Sequence, residues 1–308
     1  MEYRDSKVKE MFRNPEQLLG KQVMVQGWVR QHRDQKEVIF IKLNDGSFYN
    51  DVQIVVKESL ANFEAVSKLT LGSTLLVKGT FQESEGAGQA HDIDAAEIII
   101  IGQADTANPI QNKRHGLDFL RTKPHMRVRT NTFMAVFRVR SLLAHAVHSF
   151  FQDQDFVYVH TPIITSTDAE GAGEMFRITT IEPRRHKTDK EGNVKWGREL
   201  LGQRSFLTVS GQLNVEPFCN AFRNVYTFGP TFRAENSNTP RHANEFWMIE
   251  PEIAFGDLEA DMDLAEDMVK YMIRYVLEKA PEEMEFFNKF IDKGLLARLQ
   301  NVVDNEFG

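Results

Sequence analysis

The chain has 308 residues, a formal net charge of −7, 42% hydrophobic residues and a mean hydropathy of −0.39. That length and apolar content support a sizeable core, most simply in two domains, and the acidic balance excludes indiscriminate nucleic-acid binding over the whole surface. One cysteine, Cys219, excludes an internal disulfide framework and suits a reducing compartment; it reads as a small apolar residue rather than a nucleophile. The first residues, Met1-Glu-Tyr-Arg-Asp-Ser6, carry no signal-peptide pattern, and no apolar run approaches the roughly 20 residues of a membrane span. The expectation is a soluble, cytoplasmic protein with no membrane partner.

Residues 1–19 form a polar lead-in. From Gln22 the pattern becomes short alternating strands: Val23, Val25 and Trp28, then 38–43, the turn at 44–47 and a strand at 52–56. A helical piece at 59–69 and strands at 74–79 and 97–101 follow, the last two separated by the glycine-rich acidic loop 83–88. Five short strands with one helix between the third and fourth predict an OB-fold β-barrel over residues 1–104. Such barrels stack bases on exposed aromatics beside basic groups, and Arg33, Phe40 and Gln53 are the candidates; spacing alone allows Phe40 to be plain core instead.

Residues 105–128 read as a linker, broken at Pro109 and Pro124. The linker and the residues just after it hold Lys113, Arg114, Arg121, Lys123, Arg127 and Arg129 against the single acid Asp118, whereas 257–285 is strongly acidic. A polyanion would therefore meet the N-terminal half first. A second domain is expected over 129–308. It opens with an amphipathic helix at 131–151, with Phe133, Val136, Phe137, Leu143, Val147 and Phe151 at helical spacing, and a strand at 156–160 ending at Thr161-Pro162. The loop 168–175 sets two carboxylates, one of them Glu170, among glycines; 182–202 is polar, with a hairpin signal at Asp189-Lys-Glu-Gly192 and no assigned role. A further helix at 257–280 has an acidic first turn and an expected apolar face of Leu258, Met262, Ala265, Val269, Met272, Val276 and Leu277, stopped by Pro281; it should pack on a sheet.

The most informative stretch is 228–255: two strands joined by a polar, proline-interrupted loop. Alternation puts Thr231, Arg233 and Glu235 on one face of the first arm and Phe246, Met248, Glu250 and Glu252 together on the second. Arg241 and His242 lie in the loop. A guanidinium fork, a carboxylate, an aromatic face and a mobile cationic pair suit a nucleotide. On residue types alone an ordinary exposed hairpin with weak surface ion pairs fits as well.

The exact string, Phe232-Arg-Ala-Glu-Asn-Ser-Asn-Thr239, Arg241-His242, Glu245-Phe-Trp-Met248 and Glu250-Pro-Glu252, resembles the second signature motif of class II aminoacyl-tRNA synthetases. Its form is that of the aspartyl/asparaginyl subgroup, closest to asparaginyl enzymes. The resemblance implies a class II antiparallel-sheet catalytic domain, hence an α+β chain, and a ligase that uses ATP and Mg²⁺ to activate asparagine as its adenylate and pass it to tRNA(Asn). It implies Arg233 at the α-phosphate, Phe246 on adenine, Glu235 on its amine, and Arg241 with His242 at the outer phosphates. Glu250 and Glu252 are the metal candidates. The loop at 168–175 resembles the one whose glutamate, here Glu170, holds the α-ammonium. Val209-Ser-Gly-Gln-Leu-Asn-Val-Glu216 resembles the amino-acid pocket, with Ser210 and Gln212 beside the substrate.

An aspartyl enzyme would carry a lysine three residues after that glutamine. Here the position is Val215, which would leave an aspartate side chain without a counter-charge, while Glu216 is placed to accept from an asparagine amide. Gly27-Trp-Val-Arg30, Arg33, Phe40, Asn44-Asp-Gly46 and Val52-Gln53 resemble the subgroup's anticodon barrel, in which the matching Arg, Phe and Gln read the anticodon. The helix–strand–Pro162 unit resembles the first motif, implying a homodimer. No Gly-x-Gly-x-x-Arg third motif follows Phe255. The expectation is thus a C-terminally truncated member, inactive alone. An aspartyl enzyme, a non-catalytic RNA-binding paralogue and an amide-forming relative that makes asparagine stand as alternatives.

Overall fold

The computed structural model describes residues 3–307 apart from positions 87, 114, 172, 183, 184, 186, 238 and 240. Its strands are β1 (Arg4–Asp5), β2 (Gln22–Asp34), β3 (Val38–Asn44), β4 (Val52–Lys57), β5 (Thr74–Glu83), β6 (His91–Gly102), β7 (Val157–Tyr158), β8 (Ile164–Thr165), β9 (Arg177–Ile178), β10 (Ser205–Leu207), β11 (Asn224–Phe232) and β12 (Glu245–Ile253). Its helices are α1 (Val8–Arg13), α2 (Phe63–Ser67), α3 (Leu117–Arg121), α4 (Asn131–Gln152), α5 (Gln212–Val215), α6 (Leu258–Lys279), α7 (Pro281–Phe290) and α8 (Leu295–Asp304). The chain divides into two compact units, Met1–Arg140 with Ala280–Ala297, and Ser141–Lys279 with Arg298–Gly308.

In the first unit five strands close a barrel in the order β2-β3-β4-β6-β5, β5 pairing back to β2, with β1 added in parallel to β2. Period-two alternation drives closure: Val23, Val25, Ile39, Ile41, Ile54 and Val77 all point inward and are fully buried. The helix between the third and fourth barrel strands is present but shorter than expected, and its Val66 joins the same core. The β5–β6 hairpin is longer than its apolar runs suggested, pairing as far as Glu83 with His91. Its tip is polar because those residues project beyond the core.

The β3–β4 turn is organised by one side chain. Asn44, almost fully buried, accepts from the Gly46 amide at 2.8 Å and donates to the carbonyl oxygen of Phe48 at 3.2 Å and to Asp51 Oδ1 at 2.9 Å. Asp45 in the same turn accepts from the Val8 amide at 2.9 Å and so caps α1.

Residues 280–297 belong with the barrel, so the expected cut at residue 129 does not coincide with the compact units. Pro281 does stop α6, but it also starts α7, since a first-turn proline gives up an amide that has no helical partner anyway. Glu283 of α7, buried, accepts from Arg138, whose guanidinium also donates to the carbonyls of Gly46 and Ser47 at 3.2 and 3.4 Å. The Phe286 ring lies 5.6 Å from that of Tyr49.

The second unit is built on the β11–β12 hairpin, paired from Asn224 with Ile253 to Phe232 with Glu245, with β7 added in parallel to β11. One face of the hairpin is core. Tyr226, Phe228, Ile249 and Ile253 pack with Val147, Phe150 and Phe151 of α4 and with Leu264, Met268 and Met272 of α6. Phe151 stacks on Tyr226 at 4.5 Å. α6 packs on the sheet as expected but through a partly rotated face: Leu258 and Met262 are exposed, and Leu264 and Met268 join the expected Met272, each one turn apart, in the contact. In α4 likewise Ala146, Val147, Phe150 and Phe151 are buried while Phe137 is largely exposed. A second small sheet runs in the order β8-β10-β9. Among the described residues no helix is long and apolar enough to cross a membrane.

Replacing Asn44 strips the turn of several buried partners at once. Asn44→Ala should lower the unfolding free energy by about 2–3 kcal/mol in urea titration; a loss below about 0.5 kcal/mol would show that the turn holds without it.

Candidate nucleotide and amino-acid site

The face of the hairpin opposite the core carries the site. Cross-strand pairs place Thr231 against Phe246, Gly229 against Met248, Thr227 against Glu250 and Val225 against Glu252, so the four return-arm residues expected to share a face do so. β11 ends at Phe232, one residue short of Arg233, and the chain then runs as a loop to β12. Asn244 closes that loop: the Arg233 amide donates to its carbonyl at 3.1 Å and its side chain donates to the Arg233 carbonyl at 2.8 Å.

Arg233, Glu235, Arg241, His242, Ala243 and Phe246 line one open cavity of about 460 Å³. All five residues expected to hold a nucleotide therefore converge. The Arg233 guanidinium stands over the Phe246 ring at 5.4 Å, with Nη2 4.0 Å from the Met248 sulfur, and its buried Nε has no hydrogen-bond partner among the described residues. A buried charged donor left unpaired is costly, and an anion at this point would remove the cost. Asn238 and Pro240 of the loop, like Arg114 of the basic cluster, lie outside the described residues.

The loop at 168–175 packs against this pair. The Ala234 amide donates to the Glu174 carbonyl at 2.7 Å, and a Cβ on Gly173 would fall 2.7 Å from Glu235 Oε1 and 3.1 Å from Arg233 Cδ. A side chain here would push the Glu235 and Arg233 side chains aside. Glu170, exposed on the same loop, adopts a left-handed φ of 55°.

Glu250 ties the loop at 208–212 to the hairpin. Its buried carboxylate accepts from Ser210 Oγ and from the Gly211 amide at 3.1 Å. A Cβ on Gly211 would lie 2.6 Å from Thr161 Oγ1 and 2.8 Å from Thr227 Cγ2, and those two threonines bond to each other at 3.0 Å. Ser210 Oγ also accepts from the Gln212 amide at 3.1 Å. Glu250, expected beside Glu252 as a metal ligand, thus spends its carboxylate on Ser210 and Gly211. Among the described residues no group of three His, Cys, Asp or Glu side chains is arranged to hold a metal ion. Sequence reasoning passed over Asn244, Thr161, Thr227 and this use of Glu250; for Thr227 the signal was its period-two spacing from Thr231.

Val215 is fully buried, and Glu216 and Gln212 are exposed beside it. Burial pushes the Glu252 carboxyl above its ordinary value, and the nearby carboxylates of Glu216, Asp261 and Glu250 push it further. The region is acidic and holds no compensating cation at position 215.

The barrel presents a separate face. Arg33 and Phe40 pair across β2 and β3, with the guanidinium 5.2 Å from the ring centroid. Phe40 pairs with Val55, and Lys42 with Gln53, so Phe40, Lys42 and Gln53 share the side away from the core. Phe40 is not plain core: Ile39 and Ile41 take that role.

Because the folded-state pKa of Glu252 is raised, its contribution to stability is intact below the ordinary value near 4.5 and is lost as pH rises through the folded-state value. Glu252→Gln should therefore melt higher than the parent at pH 7 and equally at pH 4; an equal or lower Tm at pH 7 would contradict a strained carboxylate.

Comparison with known proteins agrees with this geometry. The sequence model described as tRNA synthetases class II (D, K and N) matches residues 117–301, and that of the OB-fold nucleic acid binding domain matches 23–101. The asparagine–tRNA ligase of Desulfitobacterium hafniense is 56% identical over 301 residues, covering 98% of this chain and 65% of that protein. That of Alkaliphilus oremlandii is 55% identical over the same length. The chain thus spans 65% of the length of these relatives. The asparaginyl-tRNA synthetase of Pyrococcus horikoshii complexed with asparaginyl-adenylate superposes with a TM-score of 0.79 at 26% identity, over 96% of this chain and 62% of that one. The Entamoeba histolytica asparaginyl-tRNA synthetase, at 22% identity and a TM-score of 0.75, shares the fold. The chain belongs to the class II tRNA synthetases of the D, K and N group.

Proposed function

We propose that this chain carries the anticodon-reading barrel and the ATP- and asparagine-binding parts of a cytoplasmic asparagine–tRNA ligase. The observation that carries the reading is the cavity in which Arg233, Glu235, Arg241, His242 and Phe246 meet, with the Arg233 Nε unpartnered among the described residues. Two relatives above 50% identity are named asparagine–tRNA ligases, and one of the solved structures holds asparaginyl-adenylate.

In this reading adenine lies on Phe246 with its exocyclic amine donating to Glu235, and Arg233 takes the α-phosphate. Arg241 and His242, on the loop, take the outer phosphates. Glu170 pairs with the α-ammonium of asparagine, while Ser210 and Gln212 border the amino acid and Glu216 accepts from its amide. The asparagine carboxylate attacks the α-phosphorus, the bond to the β-phosphate oxygen breaks, and pyrophosphate leaves. A ribose hydroxyl at the tRNA 3′ end then attacks the acyl carbon and AMP leaves. No side chain forms a covalent bond; rate comes from positioning and from cations placed where phosphoryl charge develops.

Mg²⁺ would supply charge neutralisation for the phosphates, with Glu252 as the one proposed ligand of this chain, since Glu250 is committed elsewhere. Arg33, Phe40 and Gln53 read the anticodon, and a homodimer forms about Pro162. Val215 in place of a cation, with Glu216 and Glu252 close by, disfavours aspartate by leaving its carboxylate against like charge.

Two measurements test this, both in a protein extended to the relatives' full length. Asparagine should support exchange of labelled pyrophosphate into ATP at least about 100-fold better than aspartate; equal rates would return the aspartyl reading. Arg233→Ala should cut exchange by roughly 10²–10³ while tRNA affinity stays within about threefold. Near-normal exchange would remove Arg233 from the phosphate.

A further inference from the structure

The β9–β10 hairpin has one end at the substrate loops and the other in the segment 179–204, to which no role has been given. β9 runs from the loop at 168–175 into that segment, and β10 runs out of it toward Ser210. The two strands pair in antiparallel fashion, Ser205 with Ile178 and Phe206 with Arg177. In a chain of net charge −7, residues 177–204 hold eight lysines and arginines against four acids. Those acids are in part already engaged: Glu199, buried, accepts from Thr179 Oγ1 and the Thr180 amide, Glu182 pairs with Arg185 at 3.0 Å, and Asp189 accepts from the amides of Glu191 and Asn193.

Two of the cations share one aromatic partner. The exposed guanidiniums of Arg177 and Arg204 both lie against the half-buried Trp196 ring, at 5.7 and 4.8 Å from it. Trp196 itself opens a one-turn 3₁₀ segment, Trp196–Arg198, that ends at the buried Glu199. An indole shared by two guanidiniums holds both heads at the root of the hairpin and lowers the entropy lost when they bind a phosphate.

We propose that Arg177 and Arg204, held by Trp196, are a backbone-phosphate contact for the acceptor arm of tRNA. This rests on the reading that the chain acts on tRNA. The occupant is RNA rather than an acidic protein because the chain carries an OB-fold nucleic acid binding domain and belongs to a tRNA synthetase family. It is the acceptor arm because the strands bearing these arginines lead directly into the loops that bracket the amino-acid site, where the tRNA 3′ end must arrive. The contact is with phosphate, so it is indifferent to base sequence and sensitive to salt.

The test is fluorescence anisotropy of the 308-residue chain with two labelled RNAs, an acceptor-stem minihelix lacking an anticodon and the whole tRNA, between 50 and 200 mM salt. The double variant R177Q/R204Q should bind the minihelix roughly tenfold more weakly, with the salt slope smaller by about two. W196L, which removes no charge, should weaken minihelix binding while leaving the salt slope nearly unchanged. An unaltered minihelix affinity and slope in R177Q/R204Q, with whole-tRNA binding retained, overturns the proposal and leaves the ligase reading standing. Failure of the parent chain to bind either RNA overturns both.

Discussion

The site depends on a buried carboxylate. Glu250 sits on the solvent-side face of the hairpin yet is nearly fully buried, because the loop at 208–212 folds over it and donates from Ser210 Oγ and the Gly211 amide. A buried carboxylate is tolerated only when its oxygens are hydrogen-bonded, so the loop and the strand require one another. That single constraint sets the loop at 208–212 beside the strand that also carries Phe246 and Glu252. The absence of side chains at Gly211 and Gly173 makes both loop approaches sterically possible.

The two faces of one hairpin then divide the labour. Tyr226 and Phe228 of β11 and Ile249 and Ile253 of β12 pack against α4 and α6, while Thr231, Phe246, Met248, Glu250 and Glu252 lie on the opposite face with the site. The core face fixes the backbone that the site face needs, so stacking of Phe151 on Tyr226 bears on function without touching a ligand. In the first unit the same economy holds: Ile39 and Ile41 close the barrel while Phe40 and Lys42, between and beyond them, face outward.

What the sequence made legible follows from period and motif. Alternation located the barrel strands and sorted the return arm of the hairpin correctly, because side chains of a strand have no other faces to choose. The convergence of Arg233, Glu235, Arg241, His242 and Phe246 was legible because their spacing is that of a known motif. Helix faces were less so. In α6 Leu258 and Met262 of the expected face gave way to Leu264 and Met268, while Met272 packs as expected, since an amphipathic stripe broad enough to include all of them leaves the rotation to tertiary packing. The surroundings of Glu250 were hidden for a different reason. A carboxylate in a nucleotide motif reads as a metal ligand, and nothing local reveals that a loop 40 residues upstream has claimed it. The placement of α7 with the barrel, through Arg138 and Glu283, is likewise a long-range event invisible to local pattern.

The most direct test of this account is calorimetric titration of Glu250→Gln and the parent chain with asparagine and, separately, ATP. If Glu250 holds the amino-acid loop, the isosteric change puts an amide donor against Gly211 N–H, and asparagine binding should weaken by roughly tenfold or more while ATP binding stays within about twofold. Unchanged asparagine binding, or equal loss of both ligands, would contradict the claim that this carboxylate organises the amino-acid half of the site.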